Sequence, residues 1–430
     1  MGYDLDGSAI DSTIEPFHAD DSRHNYAIRD LLGISFPDYC LSHQVPEFKL
    51  KTVNAMINCK TGKLGYSLTY CEHCGKIEMR SCSCGNRNCP SCGYLEEKRW
   101  TAMRQEEVIP GIPYFHMVFT LPHTLAEIMY QNQKDTLNLL FSSAKDTILE
   151  LSMKKLKITP GILMILHSFG SDLCLHYHLH VLVSGGGLTK DKSRFKKCLS
   201  NKFFLPLKAV TRVYRGKFMD GLKQLHDDDQ LQYYHEAQRY RNSYEWKALL
   251  NTCYDTEWNV EIKPLAPVNK TGRDTGNKET TDNVVSYFAR YTNRTAISNS
   301  RILSYDREQV TFRYKDYHGS SYTMKEMTLS TDEFIRRFLM HLLPARFSRV
   351  RSAGFLAGCI RKKSLEKIYA LLEKTYEPSE IRKMSAADLI LMFFGKDVSI
   401  CKECGSKVEI VPRMSRQSAA TYIRGMPAQQ

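Results

Sequence analysis

The chain has 430 residues, of which 42% are hydrophobic, with 60 Lys+Arg against 47 Asp+Glu and a formal net charge of +13. That length allows roughly two to three domains, and the composition excludes collagen-like and disordered classes. No apolar run is long enough for a bilayer span, and a start carrying Asp4, Asp6, Asp11, Glu15 and Asp20 is wrong for a signal peptide, so a cytoplasmic protein is expected.

Residues 1–35 read as a polar, acidic lead-in with a short helix near 26–32. Helical periodicity follows in Phe48, Leu50, Val53, Met56 and Ile57. Seven of the fourteen cysteines then fall between Cys59 and Cys92. In a reducing compartment such clustering indicates metal ligands, not disulfides. A helix is predicted over 94–108, a strand over 114–121 ended by Pro122, and a helix over 125–155. Two strands, 161–167 and 175–183, precede Gly185-Gly186-Gly187. Helices are predicted over 205–225 and 228–252, and a strand over 258–265. Residues 269–283 form a polar loop, residues 284–291 look helical, and 302–329 reads as an antiparallel hairpin region turning at His318-Gly319-Ser320. From Thr331 the chain reads as mostly helical, with a cysteine pair at Cys401 and Cys404.

The positive charge is uneven. Residues 186–219 hold ten basic side chains and one acid, and 334–363 hold eight basic side chains and no acid. Runs of this kind are most often solvated faces. Here aromatics are interleaved (Phe195, Phe203, Phe204, Tyr214; Phe334, Phe338, Phe347), the mixture that grips a phosphate backbone and stacks bases. Lys196, Lys197, Arg336 and Arg337 are the candidate DNA contacts in these runs.

Three motifs carry chemistry. Cys71-x2-Cys74 and Cys89-x2-Cys92 are two knuckles that can present four thiolates to Zn²⁺ in a closed, structural site, with Cys82, Cys84 and His73 as spare donors. Cys401-x2-Cys404 has no obvious second pair and is expected to be a lone knuckle, completed by Cys359 or by another chain. In His176-Tyr177-His178-Leu179-His180, alternation on a strand points the three imidazoles the same way. If the two predicted strands pair, His167 joins His178 and His180 in a three-imidazole face that leaves positions on a divalent cation open to phosphate and water. Three imidazoles suit Zn²⁺ also, but oxygen-rich open positions suit Mg²⁺ or Mn²⁺. Finally, Tyr287 and Tyr291 are one helical turn apart, with Arg290 and Arg294 beside them to meet phosphate. Core packing is the usual fate of such a tyrosine pair.

His178-Leu179-His180 with Tyr287-x3-Tyr291 resembles the two-tyrosine HUH transposases of rolling-circle insertion sequences. The resemblance extends to Asn86-Arg87-Asn88-Cys89-Pro90-Ser91-Cys92 of that family's N-terminal zinc-binding domain and to the Pro113–Pro122 segment. It continues through Gly185-Gly186-Gly187-Leu188, Tyr291-Thr292-Asn293-Arg294, Ala296-Ile297-Ser298-Asn299 and Glu333-Phe334-Ile335-Arg336-Arg337-Phe338. It spans about residues 35–360 in the expected order. The chain departs from the family at Asn88, where His is common, and at Tyr177, where Pro is common. Its polar insertion at 269–280 is also longer than expected.

The resemblance implies an α+β fold: an HUH nuclease core with a central antiparallel sheet flanked by helices, an N-terminal four-cysteine zinc module and a mostly helical C-terminal region. The implied domains are 36–108 for zinc and DNA binding, 112–330 for the nuclease, and 331–430 for the basic C-terminal part. The implied chemistry is a metal-dependent attack by Tyr287 or Tyr291 on single-stranded DNA at transposon ends and target, leaving a 5′-phosphotyrosine. A plasmid relaxase or replication initiator would use the same chemistry, but the zinc module argues against it. A non-catalytic zinc-dependent DNA-binding protein is the alternative of another class, and a covalent protein–DNA adduct separates it from both enzymes.

Overall fold

The computed structural model describes residues 27–198, 200–265, 294–318 and 321–415, with residues 284, 288, 291, 292 and 418. Its elements in chain order are α1 (Ile28–Ser42), α2 (Glu47–Ile57), β1 (Tyr66–Tyr70), β2 (Ile77–Ser81), α3 (Tyr94–Gln105), β3 (Tyr114–Thr120), α4 (Ala126–Gln131) and α5 (Gln133–Leu156). There follow β4 (Thr159–Phe169), β5 (Leu175–Leu188), β6 (Phe195–Lys197), α6 (Leu207–Asp227), α7 (Ser243–Asp255) and β7 (Val260–Pro264). The last part holds β8 (Ile302–Tyr305), β9 (Gln309–His318), β10 (Ser321–Ser330), α8 (Thr331–Met340), β11 (Val350–Gly354), α9 (Arg361–Leu371), α10 (Ala386–Phe394) and β12 (Glu409–Met414).

The central sheet follows from two long strands that are apolar on both faces. Its order is β11-β4-β5-β3-β7, with β6 added to the far end of β5, and every pairing is antiparallel. Alternation sorts the side chains. Ile162, Met164, Leu166, Tyr177, Leu179, Val181 and Val183 face one core, together with Phe115, Met117 and Phe119 of β3. Leu163, Ile165, Leu182 and Tyr114 face the other. The histidines belong to this second face.

Helices α5, α6 and α7 cover the first face. Leu137, Leu140, Phe141, Ala144, Ile148 and Leu151 form the apolar stripe of α5 at helical spacing, and Lys157 ends that helix in the left-handed conformation. Val210, Tyr214, Phe218 and Leu222, four residues apart, do the same for α6. Asn242 caps α7 by accepting hydrogen bonds from the amides of Tyr244 and Glu245. The mixed, antiparallel, helix-flanked architecture expected from sequence is therefore present.

A second core joins α1 to the 297–342 region. Ile28, Leu31, Leu32 and Phe36 of α1 pack with Val310 and Phe312 of the β8–β10 sheet and with Phe334, Ile335 and Phe338 of α8. The acidic lead-in thus runs into a buried helix, and contacts cross the domain boundaries drawn from sequence. Four other readings change. The 125–155 segment is two helices parted at Asn132. Within 228–252, a loop and a 3-10 turn at His235–Arg241 precede α7. The 302–329 region is three strands. The part read as mostly helical contributes β11, an edge strand on β4, and β12, which pairs with β1. The expected polar loop at 269–283 lies outside the described residues.

Close backbone crossings fix where β4 meets its neighbours. A Cβ on Gly187 would lie 2.3 Å from the Thr159 carbonyl oxygen. At Gly354, where φ is +62°, it would lie 1.7 Å from the Pro160 carbonyl oxygen. Gly354→Ala therefore meets both strain and clash, and should lower stability by roughly 2 kcal/mol or more. Gly216→Ala, in α6 with open space beside it, should instead raise stability by about 0.5–1 kcal/mol. Urea denaturation midpoints of the two variants check the pair; a Gly354→Ala protein as stable as wild type would refute the close-approach argument.

Candidate active site

Antiparallel pairing of β4 and β5 sets His167 directly opposite His178, and Ile165 opposite His180. His178 and His180 are two residues apart on one strand and so share a face. One ligand nitrogen from each of His167, His178 and His180 lies within 4.8 Å of the others. Their ring centroids are 4.6 Å apart for His167–His180, 4.9 Å for His178–His180 and 5.3 Å for His167–His178. His176, on the same strand face, is exposed, with its ring 4.9 Å from His178.

Hydrogen bonds orient these rings. Nδ1–H of His178 donates to the His176 carbonyl at 2.8 Å, which leaves Nε2 with the lone pair. His167 Nε2–H donates to the Tyr291 carbonyl at 2.7 Å. His180 Nδ1 and His116 Nε2 share a hydrogen bond of 2.9 Å. Sequence reasoning missed His116. The available signal was its place on β3, where it alternates with Tyr114 and Val118 and so faces the histidine side of the sheet.

Burial pushes His178 down to about 3 and His116 to about 4, and holds His167 and His180 well below the usual imidazole range. The Arg294 charge pushes His167, His178 and His180 the same way. At neutral pH the three rings are therefore uncharged, the state in which imidazole ligates a metal. Three such donors within 4.8 Å fit a divalent cation.

Tyr291 joins this cluster. Val284, Phe288, Tyr291 and Thr292 are helical; Val284 and Phe288 are buried on the sheet against Leu163, Ile165 and Leu182. Tyr291 lies beyond them, its ring centroid 4.0 Å from His180, 5.3 Å from His116 and 6.0 Å from His167. Tyr287 and Arg290 lie outside the described residues. Arg294 is exposed.

The other predicted contacts are less uniform. Lys196 and Lys197 are exposed on β6. Arg336 and Arg337 line a 720 Å³ groove with His123, Glu127, Tyr130 and Arg239. Both guanidinium groups already engage the Glu333 carboxylate, at 2.6 and 2.7 Å, and Arg337 also donates to the Asp172 carbonyl.

Residues 161–364 match a family model described as a putative transposase, and residues 32–121 match one described as a transposase zinc-binding domain. The chain is 33% identical over 366 residues to the putative transposase y4qJ of Sinorhizobium fredii, covering 82% of this chain and 86% of that one. It is 28% identical over 391 residues to the transposase for insertion sequence element IS801 of Pseudomonas savastanoi pv. phaseolicola, covering 89% of each. No solved structure matches. The chain belongs to this two-tyrosine transposase family.

As a transposase it acts on DNA, and its histidine cluster lies within the segment matched to the transposase model. The zinc-binding domain needs a correction. Cys71, Cys74, Cys89 and Cys92 do not converge on one site. Cys89 and Cys92 gather with Cys59 and Cys84, all four sulfurs within 4.8 Å, and Cys92 lies 3.3 Å from Cys59 and 3.6 Å from Cys84. Cys71 and Cys74 gather instead with Cys401 and Cys404. The knuckle at 401–404 thus faces the 71–74 knuckle and not Cys359. The physical reason is the β1–β2 hairpin: it carries the 71–74 knuckle at its turn, away from the end where Cys59, Cys82 and Cys84 lie. Cys84 was recognised from sequence only as a spare donor, and Cys59 was missed because it stands alone after α2. Among the described residues, no helix is long and apolar enough to cross a membrane.

The buried imidazoles give the fold a pH dependence. His341 adds to them: it is wholly buried, pushed to about 4 by desolvation, and donates Nε2–H to the Leu173 carbonyl at 3.0 Å. An unfolded histidine titrates near 6.5, so between about 6.5 and 4 the unfolded chain binds more protons than the native one. Stability should be full above about pH 6.5 and fall as pH drops toward 4, with His341 alone contributing up to roughly 3 kcal/mol. Urea unfolding of metal-free protein at pH 7.5, 6 and 5 measures this; a flat profile would contradict buried, neutral imidazoles.

Proposed function

We propose that this transposase nicks and rejoins single-stranded DNA through a tyrosine nucleophile, leaving a 5′-phosphotyrosine and a free 3′-OH. The observation that carries the reading is Tyr291, whose ring lies 4.0 Å from that of His180 inside a three-imidazole cluster. His167, His178 and His180 would hold Mg²⁺ or Mn²⁺. When bound, that cation neutralises charge on the scissile phosphate and makes it a better electrophile.

The chain's own groups then do the following. The Tyr291 phenol gives up its proton and forms a new O–P bond. The P–O3′ bond breaks, and the departing oxygen takes a proton to become the 3′-OH. The phosphoester is preserved, so the reverse attack by a 3′-OH needs no ATP. Arg294 places a positive charge beside the phosphate, and Lys196 and Lys197 offer exposed charge to the flanking strand. Tyr287, one turn before Tyr291 in sequence, would serve the second strand, so that donor and target are cut in turn. Binding to transposon ends and target DNA completes the reading.

Tyr→Phe removes a single oxygen, so packing should hardly change. Tyr291→Phe and Tyr287→Phe should each cripple transposition in cells, while one cleavage in vitro survives in one of the single variants. The double variant should form no covalent adduct with labelled single-stranded DNA and Mn²⁺ on a denaturing gel. An adduct mapped by mass spectrometry to Tyr305, Tyr314 or any other side chain would overturn the assignment.

The hydrogen bond between His116 and His180 makes His116 a positioning residue for a metal ligand. His116→Ala should weaken Mn²⁺ binding about 10–100-fold, in line with other ligand-orienting groups. Cleavage by this variant should recover at high Mn²⁺, which simple unfolding would not allow. Titration of Mn²⁺ by calorimetry and by cleavage rate reads both.

A further inference from the structure

Cys71-Glu72-His73-Cys74-Gly75 and Cys401-Lys402-Glu403-Cys404-Gly405 have the same local pattern, although Cys74 and Cys401 are 327 residues apart. Their backbones agree as well. In the first, the Gly75 amide donates to the Cys71 carbonyl at 2.8 Å and the Cys71 amide to the Lys76 carbonyl at 2.9 Å. In the second, the Gly405 amide donates to the Cys401 carbonyl at 3.0 Å and the Cys401 amide to the Ser406 carbonyl at 2.7 Å. Gly75 and Gly405 have φ of +69° and +75°, a conformation glycine adopts without cost. Each segment is a zinc-ribbon type knuckle in its own right, and the two face each other.

Their four sulfurs lie within 4.8 Å of one another, with Cys71–Cys404 at 3.5 Å and Cys74–Cys401 at 3.6 Å. A disulfide would need about 2.05 Å. Tetrahedral ligation with Zn–S bonds of about 2.3 Å puts sulfurs about 3.8 Å apart, close to what is observed. Cys71 and Cys401 are buried, while Cys74 and Cys404 are at the surface. Four thiolates on a divalent ion leave a net charge of about −2. Lys76, Arg80, Lys396 and Lys402 line one small pocket with Cys401, Glu78 and Asp397, and their surplus over the two acids offsets part of that charge.

The surrounding backbone supports the same pairing independently of the sulfurs. Strand β12 pairs with β1 from Tyr66 opposite Met414 to Tyr70 opposite Glu409, forming the sheet β12-β1-β2. Ion pairs Lys76–Glu403 and Lys402–Glu78, at 3.2 and 3.6 Å, cross from one segment to the other. Cys401 and Cys404 lie beyond both segments matched by the family models.

We propose that Cys71, Cys74, Cys401 and Cys404 hold a second Zn²⁺, forming a zinc ribbon split between the two ends of the chain. The first Zn²⁺ belongs to Cys59, Cys84, Cys89 and Cys92. The second tethers the C-terminal segment to the N-terminal module and so closes the chain into a loop. The four thiolates meet only when the two segments are together, so Zn²⁺ binding favours the folded, closed arrangement by mass action.

The test uses full-length protein purified without added chelator. Elemental analysis should find two Zn²⁺ per chain in wild type and one in the Cys401→Ser/Cys404→Ser variant. Limited proteolysis should then cut that variant, but not wild type, between residues 395 and 415. One Zn²⁺ per wild-type chain, or an unchanged count in the double variant, would overturn the proposal. So would mass spectrometry showing Cys71–Cys404 or Cys74–Cys401 disulfides in freshly reduced and repurified protein. If the variant does not fold, Co²⁺ substitution of the wild type decides: the thiolate absorption of two tetrahedral sites supports the proposal, and that of one site refutes it.

Discussion

The register between β4 and β5 is the constraint on which the site depends. Strand periodicity is two, so a slip of one residue would turn His167 away from His178 and send an apolar side chain to the histidine face. The register is held from both sides. Ile162, Met164, Leu166, Leu179 and Val181 are committed to the core under α5 and α6, while Leu163, Ile165 and Leu182 are committed to the opposite core. At the far end Gly187 lets β5 approach Thr159 more closely than any side chain would permit. A polar cluster that burial alone would disfavour is thereby kept in place by apolar residues on the same two strands.

The same economy ties the cysteine module to the rest of the chain. Cys59, Cys89 and Cys92 pack within the core that contains α1, α8 and the β8–β10 sheet. Arg87 donates to the Phe347 carbonyl at 2.6 Å, and Asn299 bridges the Ser91 hydroxyl and the Ile28 amide. Residues far apart in sequence therefore set the position of the first cysteine cluster relative to the histidines. In the proposed reaction this matters if the cysteine module contacts DNA, because such a contact and a cleaving site must keep a fixed spacing to cut at a fixed place.

The sequence made the sheet strands and the histidine set readable because each rests on local alternation. His167, His178 and His180 needed only the added assumption that neighbouring strands pair. Sulfur partners were not readable in the same way. C-x2-C spacing identifies a knuckle but carries no information about which other knuckle it faces, and the nearest pair in sequence proved the wrong partner for Cys71 and Cys74. Cys59 has no spacing signature at all. His116 was hidden for a related reason: its role depends on β3 lying beside β5, a tertiary fact. Short edge strands such as β11, in a strongly basic stretch, also lack the pattern that identifies longer ones.

The proposed ligand His167 and the proposed nucleophile Tyr291 are coupled through one hydrogen bond. His167 donates to the carbonyl of Tyr291, so the ring that would hold the cation also holds the backbone of the residue that would attack. Phe288 and Val284 anchor that helical segment on the apolar part of the same sheet face. The sheet is buried on both sides, whereas Tyr291 itself is only half-buried. Such a division suits a reaction in which the electrophile must stay fixed while a nucleophile is spent and restored. It also means that His167 and Tyr291 cannot be treated as independent. Loss of the imidazole would remove a proposed metal ligand and release the tyrosine backbone together, so the effects of changing both should be far from additive.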